Sequence, residues 1–333
     1  MTDASESTDG QHRAAKSRSS WLAILDSVGR WTVGLAVIVG GLFCAWKCLS
    51  QPPVGQTSVE IVAAPDDPQE RVEIPSGSDR LTDMISAEQI KSADHPLDPL
   101  MKLADRGLEI IDTKYPDYSA KILTQVRTGD TLHDENVMKL KVRHGREGGE
   151  EQIPFSIYTR FLGPKSKAGQ EAIWVDGRDD GMILGHGTGF LNVKTVKLDP
   201  ESRFAMSGNR YPIYEIGFRN LIMKMKEFGK NDRNYGECEV QIDRNVLVDE
   251  RSCTLVTVTH PIKRDHFEYH IAKIYIDDEF EVITGYEGYL WPETVGGEPV
   301  LLEKYFYVDL ELNSGLEDVD FDTANAAYDY PRW

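Results

Sequence analysis

The sequence lacks the short motifs that mark most catalytic and nucleotide-binding sites. It contains no G-x-S-x-G segment for a nucleophilic serine, and the glycine spacings that bind phosphate groups are absent. Residues 176–181 are rich in Asp and Gly, but Arg178 occupies a calcium-ligand position and Gly187 falls where a bidentate Glu belongs. We therefore expect a hairpin turn there, and a chain that is not an enzyme and binds no cofactor and no metal.

Positive charge is also scarce. The chain has 37 Lys and Arg residues against 55 Asp and Glu residues, which gives a formal net charge of -18. Proteins that bind nucleic acid use Lys and Arg to neutralise phosphates, so this charge argues against a nucleic-acid partner. The excess of acidic residues is typical of a solvated surface.

Cysteine is rare, with four residues in the chain. Cys44 and Cys48 lie in an apolar stretch, and the residues before them are not the small ones that lipoprotein processing needs. Cys238 and Cys253 fall in predicted strands, where the simplest hairpin register does not place them opposite one another. The sequence leaves a disulfide between them open.

One long apolar run is present at residues 31–49, WTVGLAVIVGGLFCAWKCL. Its length is sufficient for a transmembrane helix, and Trp31 and Trp46 would lie at the two membrane interfaces. A cleaved signal peptide is the alternative interpretation. Basic residues precede the run, and none follows Lys47 until Arg71, which favours a cytoplasmic N-terminus. We therefore predict a single-pass inner-membrane protein with an extracytoplasmic C-terminal domain.

Composition divides the chain into four parts. Residues 1–30 form a short polar cytoplasmic arm and residues 31–49 the anchor. Residues 50–94 are rich in Pro and acidic residues, which predicts a disordered tether. Residues 95–333 form the extracytoplasmic domain and end in an acidic tail with little periodicity.

The periodicity of that domain predicts an α+β fold that is mainly antiparallel β. Asp98 is expected to cap a helix whose first residue is Pro99 and which has apolar residues on one face, and residues 213–228 form a second amphipathic helix. Between and after them, side chains alternate as in strands. The strands are predicted at residues 118–127, 137–143, 155–161, 172–175, 182–184, 190–198, 237–247, 253–259, 267–276, 281–289 and 300–312. This order suggests a large curved, partly closed sheet whose concave face is covered by helices.

Three segments resemble a bacterial domain-of-unknown-function family, number 1571. They are LKVRHGREGGEEQIPFSIYTRFLGP, RYPIYEIGFRNL and NSGLEDVDFDTANAAYDY, at residues 140–164, 210–221 and 313–330. The family is similar to LolA-type lipoprotein carriers, so the resemblance implies a LolA-like incomplete β-barrel with a helical lid over an apolar cavity. It implies no catalytic residues. The predicted anchor and tether differ from a soluble carrier that diffuses between membranes.

A set of large apolar residues in the strands and the second helix is our candidate ligand site. Such residues can line a cavity for acyl chains, and Met adapts to ligands of variable shape. The alternative is that they only fill a closed core. The candidates are Phe155, Ile157, Phe161, Trp174, Met182, Leu184, Phe218, Ile222 and Met225.

The best metal candidate is the set His266, Glu268 and His270, which would share one face of a strand. Ligands spaced along a straight strand lie about 7 Å apart, too far to converge on one ion. A polar outer face is therefore the preferred interpretation.

These observations favour a membrane-anchored, extracytoplasmic, non-enzymatic protein that binds a hydrophobic ligand, either a lipid or the acyl chain of a lipoprotein. Its expected partners are that ligand and the membrane around its N-terminal helix. One alternative is a cell-envelope interaction or sensing module with a filled core. A carboxylate- or metal-dependent hydrolase is the remaining alternative.

Overall fold

The computed structural model describes residues 59–62, 80–148, 152–189 and 192–332. The predicted arm at residues 1–30 and the predicted anchor at residues 31–49 lie outside this part of the chain, so both stay predictions. Among the described residues, no helix is both long enough and apolar enough to cross a bilayer.

One antiparallel sheet of thirteen strands dominates the described domain. Its order is β1-β9-β10-β11-β12-β13-β2-β4-β5-β6-β7-β8, with the short β3 paired to β2 at one side. Within the described ranges β1 and β8 are the outer strands and do not pair with one another, so the curved sheet is open. The strands are β1 (Ile61–Val62), β2 (Asp117–Thr128), β3 (Thr131–Leu132), β4 (Asn136–Arg143), β5 (Ser156–Gly163), β6 (Glu171–Val175), β7 (Ile183–His186), β8 (Val196–Leu198), β9 (Glu239–Val248), β10 (Arg251–Thr259), β11 (Ile271–Asp277), β12 (Ile283–Leu290) and β13 (Val300–Leu312).

Helices cover one face of this sheet, which we call the helical face. They are α1 (Ala87–Ser92), α2 (Asp98–Lys114) and α3 (Phe218–Asp232), and α2 packs against α3. Alternation along β2 directs Tyr118 and Ile122 to this face, where they join the main core with Phe218 of α3. The predicted arrangement of helices over one face of an antiparallel sheet is confirmed.

Described residues on the N-terminal side of the predicted boundary at residue 95 also belong to the domain. Leu81 and Ile85 are buried in the main core, and the Arg244 guanidinium donates hydrogen bonds to the carbonyls of Thr82 and Ile85, at 2.8 and 2.6 Å. The C-terminal part of the predicted tether, residues 80–94, is therefore part of the domain. The free energy gained by burying a few apolar side chains is enough to fix a segment whose other residues are mostly polar.

The opposite face of the sheet is covered in part by the C-terminal tail. Phe321, Tyr328 and Tyr330 are buried there with Tyr158 and Ile173 of the sheet. The Tyr158 and Tyr328 rings stack with centroids 4.0 Å apart. The tail is acidic, as predicted, but its aromatic residues fix it to the sheet.

The N-terminal boundaries of both long helices differ from the predicted ones for identifiable reasons. The second helix is preceded by a separate 3-10 turn, Ile213–Glu215, because Gly217 adopts φ +117° between them. Asp98 lies inside the first turn of α2 instead of capping it, and its carboxylate pairs with Arg233 at the end of α3.

Both cysteines of the domain are free and buried. Cys238 belongs to the core under the helices, whereas Cys253 belongs to a cluster on the opposite face. A residue on each face of one sheet cannot form a disulfide without rearrangement of the backbone.

Candidate ligand-binding site

A cavity of about 580 Å³ lies between the helical face of the sheet, α3 and the loop at residues 199–217. This volume is within the usual range for small-molecule sites, about 300–1,000 Å³. Most of its lining is apolar. The apolar side chains include Ile122, Val126, Met138, Phe161, Ile183, Val196, Leu198, Ile213, Leu221, Met225 and Phe228.

Small residues on three neighbouring strands make room for this cavity. Thr159 of β5 is the cross-strand neighbour of Ala172 in β6, and Ala172 is the neighbour of Gly185 in β7. Because cross-strand neighbours point to the same face, all three positions face the cavity, and all three line it. Large side chains in this row would close the space.

A polar cluster interrupts the apolar lining where β13 begins. Glu303 receives hydrogen bonds from the Tyr305 hydroxyl at 3.0 Å and the Tyr211 hydroxyl at 3.4 Å, and Arg210 Nε lies 3.0 Å from its Oε2. Burial raises the pKa of Glu303, although the Arg210 charge acts in the opposite direction. Arg210 also pairs with Glu268 at 3.1 Å. We call these groups the Glu303 cluster.

Lys167 adds a cation to the cavity wall. Its ammonium donates a hydrogen bond to Asn136 Oδ1 at 3.0 Å and lies 5.3 Å from the centre of the Phe161 ring. Burial lowers the pKa of Lys167, and Asp134 acts weakly in the opposite direction.

The mouth of the cavity carries an exposed aromatic residue. Phe204 lines the cavity yet remains 76% exposed, in the loop that precedes α3. Single exposed apolar residues are common on protein surfaces, so this position alone assigns no partner.

A second, smaller cavity of about 90 Å³ lies beneath α2 and α3, over β10, β11 and β12. Leu103, Ile222 and Ile276 are among its lining residues. Its volume is well below the usual range for ligand sites.

The structure places the nine predicted ligand-site residues in several different environments. Phe161 and Met225 line the large cavity, and Ile222 and Met225 line the small one. Met182 is half-buried in the turn before β7. Leu184 faces away from both cavities, because its cross-strand neighbour Ile173 lies in the core of the opposite face.

The remaining predicted residues are packed side by side in the core. Phe218 stacks on Tyr118 with ring centroids 4.1 Å apart, and Phe155 meets Trp174 edge-on at 5.9 Å. Ile157 is fully buried. A role for any of the nine in ligand binding stays a prediction. The sequence reasoning missed the small residues Thr159, Ala172 and Gly185 and the Glu303 cluster.

The predicted metal candidates do not share a site in the described domain. His266 stacks on Tyr235 with ring centroids 3.5 Å apart, and Glu268 pairs with Arg210. His270 Nδ1 lies 2.8 Å from the carbonyl oxygen of His260. The three side chains thus have three different partners, because the segment before β11 is a loop.

A buried histidine and a carboxylate meet at the end of α3. His260 Nδ1 donates to the Tyr269 carbonyl at 3.1 Å, so Nε2 of the neutral ring is an acceptor. Nε2 lies 3.5 Å from Asp232 Oδ2, which is also an acceptor when ionised. Burial raises the pKa of Asp232 to about 6 and lowers that of His260 to about 4. The shared proton therefore resides on Asp232 in mildly acidic solution.

The Asp232→Asn variant tests this arrangement. An amide can donate to His260 without a buried charge, so we expect it to raise the free energy of unfolding by about 1–2 kcal/mol at pH 7.5. The raised pKa stabilises the wild-type fold below pH 3.8, and this contribution is lost as the pH rises through about 6. The advantage of the variant should therefore disappear near pH 4.5. Urea unfolding at both pH values measures it, and a gain of equal size at both would contradict the assignment.

The described domain thus combines an open antiparallel sheet, a covering pair of helices and a largely apolar cavity between them. The chain belongs to a family described as "Protein of unknown function (DUF1571)", which matches residues 115–330. No curated protein matches the chain.

Several solved structures are similar to this chain over about two thirds of its length. The lipoprotein LppX from Mycobacterium tuberculosis is 13% identical, with a TM-score of 0.35, over 68% of this chain and 100% of that one. A LolA superfamily protein from Nitrosomonas europaea is 15% identical, with a TM-score of 0.25, over 66% and 97%. A DUF1329 family protein from Desulfovibrio piger is 13% identical, with a TM-score of 0.32, over 68% and 98%.

Proposed function

We propose that this chain is a membrane-anchored, extracytoplasmic binding protein of the LolA-like, incomplete-barrel type, without enzymatic activity. Its ligand is a lipid or the acyl chain of a lipoprotein, bound in the 580 Å³ cavity. The supporting observation is this apolar space between the sheet and α3. The apolar run at residues 31–49 and the basic residues before it support an inner-membrane location with the domain outside the cytoplasm.

The apolar lining supplies enough free energy for such binding. Each buried CH₂ group contributes about 0.8 kcal/mol, so ten methylenes contribute about 8 kcal/mol before the costs of association. A binding free energy of about −8 kcal/mol corresponds to a Kd of about 1 µM, so the costs of association make the affinity micromolar or weaker. An interaction module with a filled core would not need this space. A hydrolase that uses His266 and His270 is disfavoured, because these residues have separate partners.

Filling the cavity tests the proposal. Ala172→Trp places a large ring in the row of small residues, and we expect it to weaken binding of a fluorescent dodecyl probe at least tenfold, since the ring occupies the space of the chain. The full chain in detergent-free polymer nanodiscs is titrated with the probe, and native mass spectrometry records any lipid retained from the cell.

Two further variants control this experiment. Ala326→Trp adds the same ring at an exposed position of the C-terminal tail and should bind like the wild type. Ala172→Leu is a milder change and should have an intermediate effect if Ala172→Trp fails to fold. A wild-type chain that neither retains lipid nor binds the probe would overturn the proposed function.

A further inference from the structure

Two of the basic side chains that line the large cavity form ion pairs with carboxylates of the described domain, whereas Lys167 does not. Arg210 pairs with Glu303 and Glu268, and Lys224 pairs with Glu215 at 3.2 Å. Lys167 forms no ion pair with any described residue, although acidic residues outnumber basic ones in this chain. Its hydrogen-bond partner is the neutral amide of Asn136.

The surroundings of Lys167 make a complementary anion favourable. Lys167 is half-buried and its ammonium lies over the Phe161 ring, so the ammonium is partly shielded from water. A desolvated ammonium binds an anion more strongly than an exposed one does, because solvent screening is weaker. Asp134 is the carboxylate that acts on Lys167, and it lies beyond ion-pair distance.

The wall next to Lys167 has a polar end and an apolar part. Asn136 of β4 is the cross-strand neighbour of Thr124 in β2, and its amide lies 3.5 Å from the Thr124 hydroxyl. Two residues further along the same strands, Met138 and Ile122 are neighbours and line the cavity. That step is about 7 Å along a strand, so a polar row and an apolar row lie side by side.

We propose that the cavity binds an amphiphile with an anionic headgroup, a carboxylate or a phosphate, and that Lys167 pairs with this headgroup while the alkyl chain lies along Ile122, Met138 and Phe161. This inference rests on the proposed function. Lys167 is then a specificity-determining residue, which selects among ligands with similar chains. In the Glu303 cluster the cation Arg210 already pairs with Glu303 and Glu268, so it contributes less to this choice.

The test compares three probes that share a dodecyl chain: dodecanoate, dodecyl phosphate and the uncharged dodecanol. Binding to the full chain in nanodiscs is measured at pH 8 by displacement of the fluorescent probe. We expect at least one of the two anions to bind about tenfold more tightly than dodecanol. Dodecanoate and dodecyl phosphate then distinguish a carboxylate from a phosphate headgroup.

The Lys167→Gln variant should bind dodecanol as the wild type does and lose the preference for anions. Lys165→Gln removes the same charge from an exposed position in the same turn and should keep the preference. Equal affinity of the wild type for all three probes, or a preference that survives Lys167→Gln, would overturn this inference and leave the proposed function standing. Absence of binding to every probe would instead overturn the proposed function.

Discussion

Replacing Phe321 by Ala is expected to lower the free energy of unfolding by about 3–5 kcal/mol, the usual cost of removing a fully buried aromatic ring. Phe321 belongs to the tail, is 0% exposed and packs against the face of the sheet opposite the helices. The Arg143 guanidinium lies 5.0 Å from its ring centre, so a cation–π contact is lost as well. Urea denaturation of wild type and variant measures the difference.

Val319→Ala is the matched control for this prediction. Val319 belongs to the same 3-10 turn but is 53% exposed, so its truncation should change the free energy of unfolding by less than about 0.5 kcal/mol. The cavity lies on the helical face, so the folded Phe321→Ala protein should keep its affinity for the dodecyl probe. A cost below about 1 kcal/mol for Phe321→Ala would mean that the tail does not stabilise the sheet.

The tail shows where sequence reasoning about this fold stops. Strands β2, β4 and β13 were predicted closely, because apolar side chains recur at every second residue over much of β2 and β4, and β13 is a long run rich in apolar and aromatic residues. Phe321, Tyr328 and Tyr330 follow no such period, since they belong to turns that fit an existing surface. Isolated aromatic residues in an acidic segment do not reveal which surface they cover.

The nine candidate residues chosen from the sequence locate the large cavity only in part. Large apolar residues were chosen as its lining, and Phe161 and Met225 do line it. Most of the others fill space instead, because large buried side chains pack against each other. Small residues in neighbouring strands locate a void better, but the pairing of Ala172 with Gly185 is evident only once the sheet register is known.

Two buried histidines of this domain face carboxylates and reach different protonation states. In both, Nδ1 donates to a backbone carbonyl and Nε2 faces the acid. Beside His260, burial raises the pKa of Asp232 to about 6, so the acid holds the proton in mildly acidic solution. Beside His186 the Glu171 carboxylate also pairs with Arg160 at 2.7 Å. Burial alone would lower the pKa of His186, but the Glu171 carboxylate and the Gly187 carbonyl outweigh it, and the pKa is raised.

Replacing Arg160 by Met should therefore destabilise the fold in a pH-dependent way. The Glu171 side chain is 0% exposed, and removing its Arg partner leaves His186 as the balancing cation. We expect a loss of about 1 kcal/mol at pH 6, where His186 is protonated, and a larger loss, up to about 3 kcal/mol, at pH 8.5, where less of it is protonated. The direction follows from the raised pKa of His186, which contributes stability below pH 6.5 that is lost as the pH rises through the folded-state value.

Asp329→Asn is the control, because it neutralises the exposed carboxylate that also pairs with Arg160 and leaves the buried Glu171 unchanged. Asp329 also pairs with Arg160, but its side chain is 60% exposed, so neutralising it should cost less than about 0.5 kcal/mol at either pH. Its backbone amide still donates to Glu171 in that variant. Thermal or urea unfolding at pH 6 and pH 8.5 supplies all the comparisons. If the cost of Arg160→Met were the same at both pH values, His186 would not be the group that balances Glu171, and the contrast with His260 and Asp232 would need another physical cause.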